Sequence, residues 1–124
     1  MGIDIIDLLK QSKWIGSGDD DDNSVLPIPV KKDSNGKLTK DYTTQDWFEK
    51  LDEELNEVKN AAIALDTFEE KSDIILERLV EELQDLITVC TSYLNFLDCD
   101  EAIREQICYM VNEKNRQRGY FGED

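Results

Sequence analysis

Residues 49–58 read EKLDEELNEV and residues 77–86 read ERLVEELQDL, two versions of one pattern set 28 positions apart. Glu49, Leu51, Glu53, Glu54 and Leu55 recur as Glu77, Leu79, Glu81, Glu82 and Leu83, while Lys50 becomes Arg78 and Glu57 becomes Asp85. The spacing is helical. At about 100° per residue, Trp47, Leu51, Glu54, Leu55, Val58 and Leu65 share one arc of a helix. Leu79, Glu82, Leu83, Leu86 and Tyr93 share the matching arc of a second helix. Glu54 and Glu82 fall inside these apolar arcs, and Glu57 and Asp85 fall at their edges, in the same phase. Glu49, Asp52, Glu77 and Glu81 point away, as acids on a solvated helix face do. A carboxylate turned toward a core is costly unless it is paired or bound to a cation. Lys50 and Arg78 are the same-helix candidates for pairing. If the helices pack face to face, Glu54, Glu57, Glu82 and Asp85 converge, which four like charges tolerate around a hard divalent cation. Oxygen-only ligation points to Mg²⁺ or Mn²⁺ rather than zinc.

The rest of the composition narrows the chemistry further. The chain has 124 residues, room for one modest domain. It contains no histidine, which excludes Ser-His and Cys-His pairs, His-ligated zinc and a Glu-x-x-His di-iron bundle. Fourteen basic residues face 29 acidic ones, for a net charge of −15. That balance argues against direct nucleic-acid binding, which depends on basic contacts to phosphates. It favours a metal cation, a basic protein partner or plain solubility. Nearly all of the excess, −13, lies in residues 46–105, whereas residues 1–45 carry −2 and residues 106–124 are neutral. Cys90, Cys99 and Cys108 are odd in number and form no C-x-x-C, so they read as free thiols of a reduced compartment. No apolar run approaches the roughly 20 residues of a membrane span, and the acid-bearing start does not read as a signal peptide, so none is expected. The expected location is the cytoplasm, away from membranes.

The chain divides at about residue 43. Residues 1–43 hold a short helix over 3–14, an acidic run from Asp19 to Asp22 that reads as a solvated loop, and an extended stretch at Pro27 and Pro29. Asn35-Gly36 is a hairpin-type turn signal, and a small N-terminal hairpin is the corresponding expectation. Residues 44–124 are helical in pattern. Thr44 or Asp46 can cap a helix over about 46–65, and Ser72 or Asp73 a second over about 74–97. Asp98, with Glu101 three positions on, resembles the start of a third that ends near Gly119. The fold class is all-α, a helical bundle of antiparallel helices. Apolar surface at Ile63 and on the Val80/Ile87 flank calls for a second subunit to complete a four-helix-type core.

Three further side chains have two readings each. Lys114 shares a side of the third helix with Ile103, Ile107 and Met110, and Arg118 lies close to the same direction. They either reach an anionic group or neutralise the helix end beside the core. Trp47 shares the face of Glu54; it either stacks on a base or fills the core. Cys90 falls within the second apolar stripe and is expected to be buried.

The pattern E-E-x-x-E at residues 53–57, followed by E-x-x-D at residues 82–85, resembles the metal motif of the MazG-like all-α nucleoside triphosphate pyrophosphohydrolases. The tail, Lys114-Asn115-Arg116-Gln117-Arg118-Gly119-Tyr120-Phe121, is similar to the K-N-x-x-R-G-aromatic ending common in that group. The resemblance covers about residues 44–121. It implies an enzyme that cleaves an NTP or dNTP between its α- and β-phosphates, giving the nucleoside monophosphate and pyrophosphate. It implies Mg²⁺, with Mn²⁺ as a substitute, held by Glu54, Glu57, Glu82 and Asp85. Glu54 is the candidate to orient the attacking water. Lys114, Asn115 and Arg118 are candidates for the leaving pyrophosphate, and Trp47 for the base. A homodimer or homotetramer is expected. The competing class is a non-enzymatic acidic protein, a DNA mimic or a regulator of a basic partner, motivated by the charge alone.

Overall fold

The computed structural model describes residues 26–68 and 73–122. The expected helix over 3–14 and the aspartate run lie outside these residues. The described residues fall into two compact units, the first ending at Tyr93 and the second beginning at Leu94. Residues 26–43 belong to the same unit as the two carboxylate-bearing helix segments.

Between Thr44 and Gln117 the sequence contains neither glycine nor proline, so no residue type there forbids a helix. Three helices result: α1 over Thr44–Thr67, α2 over Asp73–Phe96 and α3 over Glu101–Gln117. The N-cap of α1 is Thr43. Its hydroxyl accepts from the Asp46 N–H while the Asp46 carboxylate accepts from the Thr43 N–H, a complete capping box. Asp73 lies in the first described turn of α2, where its carboxylate favours the positive end of the helix dipole, and Ser72 lies outside the described residues.

In the first unit, α1 and α2 run antiparallel. Trp47, near the start of α1, stacks on Tyr93, near the end of α2, with centroids 4.9 Å apart and planes 8° from parallel. Tyr42 meets the same indole edge-on at 4.8 Å. Trp47 is only 1% exposed and, with Tyr42, Ala61 and Val89, forms the small apolar core.

Burial on α2 is rotated from the expected arc. Its buried positions are Val89, Thr91 and Ser92, whereas Leu83, Ile87, Cys90 and Leu94 are exposed. Cys90 therefore corrects the expectation of burial. The apolar arc is wider than one partner helix covers.

The segment before α1 is an arch rather than a β-hairpin. Asn35-Gly36 does make the expected turn. The Gly36 N–H donates to the Asp33 carbonyl, and Gly36 holds φ at 84°, which glycine adopts at little cost. Lys32 and Leu38 then form a single antiparallel bridge, and no strand follows among the described residues. The Val30 N–H donates to Ser92 Oγ at 2.9 Å, tying the arch to α2.

The second unit contains α3, in which no residue is buried. Asp100, not Asp98, caps it, accepting from the Ile103 N–H at 2.9 Å. Asp98 instead ends α2, in the left-handed conformation at φ 59°. There the Cys99 N–H reaches back to the Leu94 carbonyl and the Asp98 N–H to that of Asn95, closing a Schellman motif. Either aspartate has the right chemistry for a cap; the backbone geometry decides between them.

Candidate functional site

Glu54 comes from the middle of α1, and Glu82 and Asp85 from adjacent turns of α2. A carboxylate oxygen from each lies within 4.8 Å of the others. The antiparallel arrangement explains the meeting: the two copies of the pattern cross near their centres, so equivalent acids face one another. Glu57, the fourth expected member, is outside this trio. It is half-buried beside Glu54, where its charge helps raise the Glu54 pKa.

The electrostatics of the trio are unbalanced. Glu54 is 8% exposed, and burial is the main force holding its pKa above the ordinary carboxylate value. Lys50, one turn earlier, opposes this with its ammonium 3.3 Å from Glu54 Oε1. The same ammonium lies 3.4 Å from Glu53, so a single cation is shared between two acids. Burial pulls the Lys50 pKa down, yet the bond to Glu54 and the charges of both acids together hold it above its usual value. The second oxygens, Oε2 of Glu54 and Oε2 of Glu82, are both buried and have no hydrogen-bond partner. A buried acceptor left this way costs about 1–3 kcal/mol. Clustered hard oxygens with orphaned lone pairs fit a small divalent cation, which satisfies them and cancels their repulsion. The fit rests on the donor set.

The remaining expected residues are placed as follows. Trp47 has its stacked face and its edge occupied by Tyr93 and Tyr42 and lies in the core of the first unit, the arrangement that its packing reading describes. Lys114, Asn115 and Arg118 belong to the second unit. Within it, the Tyr120 N–H donates to the Asn115 carbonyl and the Gly119 N–H to that of Arg116, with Gly119 at φ 75°. This is a Schellman stop, so the glycine and aromatic of the tail have a structural role in ending α3. The Arg118 guanidinium lies over the Tyr120 ring, 5.9 Å from its centre. Lys114 is exposed and forms no ion pair with any described residue.

The sequence reading missed the arch residues. The Tyr42 hydroxyl donates to Asp33 Oδ2 at 2.6 Å, and Asp33 Oδ1 accepts from the N–H groups of Asn35 and Lys37. Lys37 Nζ in turn bonds Asp46 at 2.8 Å. Asp33 four residues before Lys37, across Asn-Gly, is an Asx-turn signal that marks the turn; nothing local marks its docking on the helices. Among the described residues, no helix is long and apolar enough to cross a membrane. No family model, curated protein or solved structure matches the chain.

Proposed function

We propose that this chain is a Mg²⁺-dependent nucleoside triphosphate pyrophosphohydrolase of the MazG-like kind. The observation that supports this is the meeting of Glu54, Glu82 and Asp85 from two copies of one motif, with buried, unpartnered oxygens on both glutamates. Such a trio serves as ligands for Mg²⁺, or Mn²⁺ in its place, with Glu57 adjacent. When bound, the cation offsets the repulsion between triphosphate and protein and polarises the phosphoryl oxygens. Glu54 holds the place nearest the core and is the candidate to orient the attacking water. Lys50 keeps the Glu54 carboxylate oriented. The resemblance assigns Lys114, Asn115 and Arg118 to the leaving pyrophosphate.

The functional form is a homodimer or homotetramer. Phe48, Leu55, Leu83 and Ile87 are exposed on the first unit, and a second copy would cover them. The reaction is tested by incubating the protein with Mg²⁺ and a panel of NTPs, dNTPs and modified nucleotides and measuring pyrophosphate. Release of pyrophosphate with the matching monophosphate, abolished by EDTA, is the expected result. Added Mg²⁺ should also raise the melting temperature by linkage. Silence across the panel, with no thermal response to Mg²⁺ or Mn²⁺, sinks the proposal.

A further inference from the structure

The arch lies outside the stretch that resembles the pyrophosphohydrolases, yet it walls the carboxylate site. A cavity of about 300 Å³ lies between it and the two helices, with Lys32, Thr39, Tyr42, Lys50, Glu54 and Asp85 in its lining. This is the lower end of the range for small-molecule sites. Glu54 is buried, lines this cavity, and has a second carboxylate oxygen with no hydrogen-bond partner, the first being paired with Lys50.

The cavity has a fixed wall. The peptides flanking Lys32 are both bonded: the Thr39 N–H donates to the Lys31 carbonyl, and the Asp33 N–H to that of Lys37. The Thr39 hydroxyl donates to the Val30 carbonyl at 2.9 Å. Ser92 secures the arch to α2, and the Lys37–Asp46 ion pair secures it to α1. Lys32 is thus presented on a braced backbone, on the wall of a cavity that also contains Glu54 and Asp85.

The charges in the lining are not equivalent. Lys50 is committed to Glu53 and Glu54. Asp33 is committed to Tyr42 and two backbone N–H groups. Lys32 forms no ion pair with any described residue, although it shares a cavity with two acids. A ligand that joins the two sides must offer a cation to the carboxylates and an anion to the lysine. A divalent cation chelated by a polyphosphate does both.

We infer that Lys32 binds a phosphate group of a metal-chelated polyphosphate seated in this cavity. The inference rests on the metal-dependent reading above, and the experiment separates the two. The full chain is titrated calorimetrically with inorganic pyrophosphate in the presence of Mg²⁺, and separately with Mg²⁺ alone. Wild type, Lys32→Met and Lys31→Met are compared; Lys31 is the neighbour, exposed like Lys32, that does not line the cavity. Lys32→Met should weaken pyrophosphate binding about tenfold and raise KM for the nucleotide more than it lowers kcat. Mg²⁺ binding should be unchanged, and Lys31→Met should match wild type. If pyrophosphate binds and depends on Lys32 but no nucleotide is hydrolysed, the proposed activity fails and this inference stands. If nucleotide is hydrolysed and Lys32→Met matches wild type or Lys31→Met, the inference is overturned and the activity stands. Failure of wild type to bind Mg²⁺-pyrophosphate overturns the inference outright.

Discussion

The two copies of the carboxylate pattern share residue types and helical phase, and they end in different surroundings. In the first copy Glu54 is buried and Lys50 bonds to it at 3.3 Å. In the second, Glu82 is half-buried, and Arg78, at the position equivalent to Lys50, is exposed and forms no ion pair with any described residue. The edge acids differ too: Glu57 is half-buried outside the trio, and Asp85 is exposed within it. A repeat fixes which way side chains point on their own helix. The neighbours they meet depend on how each helix is rotated against the other. Here the result is an asymmetric site, with the inner glutamate of one copy buried and that of the other half-buried, while both copies contribute to the cavity.

The largest expected effect breaks the symmetry within each copy. Glu54→Gln and Glu82→Gln should each lower pyrophosphate release about 100-fold or more, since even outer partners of metal ligands are worth about 10–100-fold. Glu53→Gln and Glu81→Gln, the preceding and exposed acids, should stay within a few-fold of wild type. Equal losses at all four positions in steady-state assays would mean that bulk acidity, not a site, carries the activity.

Next in size is the face that both copies leave uncovered. Leu55 is 40% exposed and Leu83 is 44% exposed, at equivalent positions of the pattern. Burying a leucine side chain fully is worth about 1.5–3 kcal/mol, and a closed dimer counts each twice. Leu55→Glu and Leu83→Glu should therefore shift the mass measured by light scattering from an oligomer to the 14.3 kDa chain. A wild-type protein that is already monomeric would remove the oligomer from the proposal.

The Lys50/Arg78 difference gives a smaller effect. Lys50→Met removes a shared, partly buried cation and leaves Glu54 without its ion pair, so chemical unfolding without metal should show a loss of about 1 kcal/mol. Arg78→Met should fall within about 0.5 kcal/mol of wild type. Adding Mg²⁺ should restore much of the Lys50→Met loss, because the cation takes over the neutralising role. Matching losses for the two variants would show that the copies are electrostatically alike after all.

How much of this was legible follows from the same contrast. Helical phase is local, so the inward turn of Glu54 and Glu82 and the all-α class could be read directly from spacing. The Thr43 cap fell one position before the expected pair of candidates, and Asp100 rather than Asp98 capped α3, because aspartate is compatible with both helix ends. Rotation of α2 toward Val89 and Ser92 was not legible, since its apolar arc offers more surface than α1 covers. Nor was the bond from the Val30 N–H to Ser92, which joins residues 62 apart with no shared local pattern. Trp47 was placed on the face that packs inward, but its neighbours there, the rings of Tyr42 and Tyr93, were not legible from spacing.

The smallest effect concerns how the arch is fastened to each copy, because only one fastening carries titratable groups. Toward α1, the arch is held by the Lys37–Asp46 pair and by Tyr42, whose hydroxyl bonds Asp33 within the arch and whose ring packs on Trp47; on α2, it is held by the neutral Ser92 hydroxyl. Burial, with the hydrogen bond to Asp33, pushes the Tyr42 phenol up to about 12. A raised folded pKa means stability that is present below the unfolded value and lost as pH rises through about 12. Asp33 moves the other way. The Tyr42 hydroxyl holds its carboxyl below the usual 3.8, so its contribution is present above that value and lost as pH falls through the lowered one. Tyr42→Phe removes the hydrogen bond and keeps most of the ring packing, at an expected cost of about 1 kcal/mol at neutral pH. Its stability deficit should shrink toward both pH extremes, where wild type loses the same bond. Ser92→Ala should cost a similar amount with no pH dependence of its own. Urea midpoints from acid to alkaline pH, with tyrosinate absorbance reporting the late-titrating phenol, distinguish them. Parallel pH profiles for the two variants would show that the α1 fastening does not depend on its charges.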